Sequence, residues 1–94
     1  MNKKIIKQQR KYSLKVSYNG QIIQRYQTRS VRRFLKKIRT INWEKLNIEV
    51  YVKVSYGKKK DVHGKLVTFY NDGVYDSKQD FIQAINAFLE NDKS

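Results

Sequence analysis

Lys-Val-Ser-Tyr is written twice in this chain, within LKVSYNG at 14–20 and within VKVSYG at 52–57, and each copy sits in a two-residue alternation. In the first, Tyr12, Leu14, Val16 and Tyr18 share one side and Ser13, Lys15 and Ser17 the other, which is the pattern of a half-buried strand. Asn19-Gly20 follows, the pair that best fits a type I′ hairpin turn, where both central residues need positive φ. With a two-residue loop, the returning segment QIIQRYQ sets Tyr18 against Gln21, Val16 against Ile23 and Leu14 against Arg25. Ile22, Gln24 and Tyr26 are then expected on the opposite side, beside Lys15 and Ser17.

The second copy behaves alike. Ile48, Val50, Val52, Val54 and Tyr56 alternate with Glu49, Tyr51, Lys53 and Ser55, the loop GKKKDVHG (57–64) turns the chain, and KLVTFY returns. The stretch NDGVYDS reads as a turn-rich connection with a short third strand at Val74–Tyr75. A helix pattern closes each half. Val31, Phe34, Leu35, Ile38 and Ile41 follow helical spacing after a cap at Thr28 or Ser30, and Phe81, Ile82, Ile85, Phe88 and Leu89 do so after Ser77-x-x-Asp80. The expected fold is therefore α+β, with element order ββαββα. Its two layers are a four-stranded, mainly antiparallel sheet and two helices on one sheet face. Leu14, Val16, Ile23, Val52, Val54, Val67 and Phe69 are expected under the helices. Lys15, Ser17, Gln24, Tyr26, Tyr51, Lys53, Ser55, Thr68 and Tyr70 would form the open face. One domain over 12–94 is expected, preceded by a flexible basic arm at 1–11. The repetition has two readings: chance in a strand-forming alphabet, or tandem ββα units at 12–42 and 47–91.

Charge separates the halves. Residues 1–43 carry thirteen Lys and Arg and no acid, whereas 44–94 carry eight of each sign, within a chain total of +13. Such asymmetry calls for a polyanionic partner. At helical spacing, Arg29, Arg32, Arg33, Lys36, Lys37 and Arg39 fall opposite the apolar stripe of the first helix. The matching face of the second, Gln79, Gln83, Asn86 and Glu90, is close to neutral. Solubility alone would not load one helix and spare the other, so the basic helix is the first candidate nucleic-acid surface. The second is the open sheet face, where Lys15 and Lys53 alternate with Tyr26, Tyr51 and Tyr70 in a pattern suited to base stacking. The third is the hairpin loop, whose Lys58, Lys59 and Lys60 could reach a neighbouring phosphate backbone. Each surface also has a plainer reading: a solvated face, tyrosines that favour strands, and a solvated loop tip.

Other chemistries find little support. Cysteine is absent, so neither disulfides nor a Cys-based zinc site is available. Six residues lie between the loop glycines, whereas a P-loop has four between them followed by Lys-Ser/Thr. The single His63 belongs to a loop tip, and Asp72, Asp76 and Asp80 suit turns and caps. No enzyme activity, metal or cofactor is expected. Nor do MNKKIIKQQRK and the short apolar runs provide a secretory leader or a bilayer span, so a soluble cytoplasmic protein without membrane attachment is expected.

Within 49–90, VKVSYGKKKDVHGKLVTFY, GVYDS and KQDFIQAINAFL set out strand, Gly-containing polar turn, strand, a Gly-led segment ending in Ser, and helix, with Val74 where the order Gly-aromatic-x-Ser/Thr has its aromatic. This order resembles the AP2-like DNA-binding domain of phage and transposon tyrosine recombinases. The resemblance implies a three-stranded sheet in the major groove with a helix behind it, and Lys53, Ser55, Lys65 and Thr68 facing DNA. The leading expectation is thus a non-enzymatic nucleic-acid-binding protein, with DNA favoured over RNA. The alternative is a module that binds an acidic protein through the same cations, as an accessory factor or inhibitor of a nucleic-acid-handling machine would. Oligomeric state is not legible.

Overall fold

The computed structural model describes residues 6–90, which run as β1 (Ile6–Tyr18), β2 (Gln21–Thr28), α1 (Val31–Ile38), β3 (Ile48–Lys60), β4 (Leu66–Tyr75) and α2 (Lys78–Glu90). The strands form one antiparallel sheet in the order β2-β1-β3-β4. The two Lys-Val-Ser-Tyr segments are therefore neighbours. Leu14 lies opposite Val52, and the copies run in opposite directions from that pair.

Alternation builds the core. Tyr12, Leu14 and Val16 of β1 and Ile48, Val50, Val52 and Val54 of β3 are buried on one sheet face, beneath Phe34 and Ile38 of α1, Ile41, and Phe81 and Ile85 of α2. Burying each of the larger side chains stabilises the fold by about 1.5–3 kcal/mol before entropy is counted. Both helices start in the same way. Ser30 Oγ accepts the Arg33 N–H and Ser77 Oγ accepts the Asp80 N–H, each at 3.2 Å. Phe34 and Ile38 occupy the buried positions on α1 that Phe81 and Ile85 occupy on α2.

Three departures from expectation matter for the surface. The first is a bulge in the β1–β2 hairpin. Asn19 and Gly20 take positive φ as expected (52° and 79°), and Tyr18 meets Gln21. Ile23 is then skipped, so Val16 meets Gln24 and Leu14 meets Tyr26. An extra residue in one strand moves every later side chain to the other face. Gln24 and Tyr26 consequently lie on the helix side, Arg25 and Gln27 join the open face, and Ile23 is half exposed instead of buried.

The second departure is β4, which continues through Asn71-Asp72-Gly73 where a turn and a separate third strand are expected. Tertiary bonds satisfy these turn-forming residues in an extended backbone. The Asn71 amide donates to the Tyr56 hydroxyl at 2.8 Å, and Asp72 accepts from the Tyr51 hydroxyl at 3.1 Å. Gly73 leaves room for the Tyr75 side chain, since a Cβ there would stand 2.7 Å from Tyr75 Cζ and overlap its hydroxyl. Tyr75 in turn meets Phe81 edge-on at 6.0 Å.

The third departure is at the other end of the sheet. Residues 6–11 of the expected arm are the first half of β1, with Ile6 opposite Lys58 and Lys11 opposite Ser55, while residues 1–5 lie outside the described residues. Lys58, Lys59 and Lys60 belong to β3 rather than to a loop tip. The tip is 61–65, tied by Asp61 Oδ1, which accepts the N–H groups of His63 (2.8 Å) and Lys65 (2.9 Å). Val31 and Val67, expected in the core, are exposed.

Gly73→Ala is expected to destabilise the fold by about 1–3 kcal/mol through overpacking against Tyr75. Most of that cost should vanish when Gly73→Ala is made in a Tyr75→Ala background. Chemical denaturation of the two single variants and the double variant measures the coupling.

Candidate nucleic-acid interface

Because Phe34 and Ile38 turn α1 toward the sheet, Arg32, Arg33 and Lys36 are left exposed on its outer surface, with Arg39 following at the C-cap. Arg29 is exposed just before the Ser30 cap. Among the described residues, no carboxylate pairs with Arg32, Arg33, Lys36 or Arg39, and the first turn holds no acid. Lys37 behaves differently: it is partly buried, its Nζ 5.0 Å from the centroid of the Tyr26 ring. That contact closes the helix over the β2 edge and accounts for Tyr26, which leaves the open face for the helix side.

The placement of these cations opposes helix stability. Unpaired N–H groups make the start of a helix electropositive, so a nearby cation costs about 0.3–1 kcal/mol and an acid gains about as much. Arg32 and Arg33 stand at that end of α1, whereas α2 has Asp80 at the position corresponding to Arg33. The outer face of α2, with Gln79, Gln83, Asn86 and Glu90, is exposed and nearly uncharged. Two helices with the same cap and the same buried pair thus present different electrostatics, one cationic and one nearly neutral.

On the other side of the sheet, register aligns Gln27–Ser13–Lys53–Asp72 in one row and Arg25–Lys15–Tyr51–Val74 in the next. Lys11, Ser55 and Tyr70 continue the face, and Lys58 joins it opposite Thr68. Lys60, opposite Leu66, is on the same side, while Lys59 is on the helix side with its Nζ 5.0 Å from the Phe69 ring. Of the residues implied by the recombinase-domain resemblance, Lys53, Ser55 and Thr68 share this face and Lys65 lies in the hairpin tip.

The tyrosines here are not bare platforms. Lys15 Nζ sits 5.3 Å from the Tyr51 ring centroid and Lys53 Nζ 4.4 Å from that of Tyr70, both within cation–π range. The Tyr51 hydroxyl is held by Asp72. A shallow depression of about 340 Å³ opens between Ser13, Lys15, Arg25, Gln27 and Tyr51. Sequence reasoning places Lys15, Lys53, Tyr51 and Tyr70 on this face but misses Arg25, because nothing in QIIQRYQ announces the bulge. Lys11, expected in the basic arm, also joins this face, and its parity with Ser13 and Lys15 is the signal that would have placed it there.

The two cationic surfaces are thus back to back, one on the helix layer and one on the sheet, across a body whose smallest dimension is 20 Å. Among the described residues, no helix is long and apolar enough to cross a membrane. Compared with protein families, characterised proteins and solved structures, the chain matches none.

The Tyr51 phenol is raised above its ordinary value of 10.0, first by desolvation, then by its hydrogen bond to Asp72 and the nearby carboxylate charge. A raised phenol favours the folded state below about pH 10 and loses that contribution as pH rises through the folded value. Asp72→Asn is expected to move the Tyr51 titration back toward 10 and to weaken this alkaline loss of stability. Phenolate absorbance and denaturation across pH 9–12 check both.

Proposed function

We propose that this is a non-enzymatic nucleic-acid-binding protein, with DNA favoured over RNA, that docks phosphates on the outer face of α1. The observation that carries the reading is the pair Arg32 and Arg33, without a carboxylate partner among the described residues, at the electropositive end of a helix whose counterpart holds Asp80 there. The placement costs helix stability and concentrates positive charge where an anion would meet it. On this reading the two ββα units are copies of one scaffold, and the first alone has the cationic helix.

Duplex is favoured over single strands because the sheet tyrosines hold ammonium groups in place of free stacking surfaces. The resemblance of 49–90 to a DNA-binding domain favours DNA. The same cations would also suit carboxylates of an acidic protein, since arginine pairs well with both groups. Capture of a protein that stays bound after nuclease treatment, without binding to purified duplex, would replace the nucleic-acid reading with that one.

If Arg32, Arg33, Lys36 and Arg39 each neutralise one phosphate, log K should fall against log salt with a slope of about −3.6 on duplex DNA. Arg33→Glu provides a discriminating variant, because it removes a cation and completes a capping box with Ser30. It is expected to raise stability by about 0.5–1 kcal/mol while weakening duplex binding and reducing the salt slope by about 1. Fluorescence anisotropy and thermal melts of the same samples measure both effects. A stabilised variant that binds as well as the parent would remove α1 from the interface.

A further inference from the structure

We infer that the open sheet face is a second duplex-DNA site, so that one molecule holds two duplex segments at once, one on each layer. The inference rests on the reading of α1 as the first site and extends it.

The layered geometry is the first reason. Leu14, Val16, Val50, Val52 and Val54 point into the core shared with both helices, so Lys15 and Lys53, at alternate positions on the same strands, point directly away from α1. A duplex has a persistence length of about 150 base pairs, and smooth bending of a short site by 40–90° already costs about 1–6 kcal/mol. Doubling one segment around a body 20–25 Å across requires a sharper bend still. A duplex seated on α1 therefore leaves the sheet face to another segment.

Charge is the second reason. Lys11, Lys15, Arg25, Lys53, Lys58 and Lys60 share the open face with two strand carboxylates, Glu49 and Asp72, among the described residues, and Asp72 is engaged by the Tyr51 hydroxyl. From the level of Lys15 and its partner Tyr51 down to Lys60 is nine residues of β3 and eight of the paired β4, or about 26–30 Å at strand rise. One turn of duplex spans about 34–36 Å, so the cations track most of one turn.

Preorganisation is the third. Cation–π contacts hold the Lys15 and Lys53 side chains over Tyr51 and Tyr70, lowering the entropy lost when each meets a phosphate. Because those ammonium groups occupy the ring faces, the site suits a phosphate backbone better than unstacked bases.

The test uses the full chain and two DNA duplexes of about three turns each, one biotinylated on beads and one fluorescent in solution. The parent protein should retain the fluorescent duplex on the beads, with a maximum at intermediate protein concentration and loss at excess. The helix-face variant Arg32→Glu/Arg33→Glu/Lys36→Glu and the sheet-face variant Lys15→Glu/Lys53→Glu should each still bind a single duplex in anisotropy. Each should retain at least tenfold less fluorescent duplex on the beads. Lys58→Gln/Lys60→Gln, at exposed strand positions, gives a milder sheet-face variant should the charge reversal unfold, and is expected to lower retention several-fold. The inference is overturned if the sheet-face variants retain the second duplex as the parent does, or if the parent binds one duplex but never two. Absence of single-duplex binding by the parent would overturn the functional reading as well, so the two failures are distinguishable.

Discussion

The antiparallel pairing of β1 with β3 is the constraint from which the other features follow. It places the two Lys-Val-Ser-Tyr segments side by side about the Leu14–Val52 pair and collects their buried residues on one face. Each outer hairpin strand then has an edge position, and each helix packs over its own half. Loss of that central pairing would leave two hairpin-and-helix units, neither large enough to bury its apolar stripe well.

Within that frame the helices share a cap, a spacing and a buried Phe–Ile pair, yet differ in what they show to solvent. The comparison separates folding from surface chemistry. Ser30, Phe34 and Ile38 do for α1 what Ser77, Phe81 and Ile85 do for α2, so the arginines of α1 are not needed for packing. Their position near the helix start opposes the macrodipole, and the charge gradient along the chain becomes a charged surface in space.

The sheet face has a different construction. Lys15 and Lys53 lie over tyrosine rings, and one carboxylate, Asp72, accepts from a phenol, so Tyr51 and Tyr70 organise cations more than they expose π surface. Tyr26 and Lys37 use the same contact across the α1–β2 edge for a structural end. Cation–π pairing thus serves packing on one side of the sheet and charge presentation on the other.

Sequence alone determined the element order, the alternating core of β1 and β3, the Ser77 cap, the Asn19-Gly20 turn and the imbalance between the two helix faces, and it narrowed the first cap to Thr28 or Ser30. These are local or periodic properties, set by residues within a few positions of one another. Tertiary structure decided what periodicity could not. The bulge at Ile23 reverses the side chains of β2, which moves Tyr26 under α1 and brings Arg25 to the open face. Hydrogen bonds from Tyr51 and Asn71, and the Tyr75 ring beside Gly73, hold Asn71-Asp72-Gly73 extended where local propensity favours a turn. Pairing with β3 draws residues 6–11 into the sheet. The separation of the two cationic surfaces onto opposite layers belongs to this second group, because charge is a sum along a sequence but a direction in a fold.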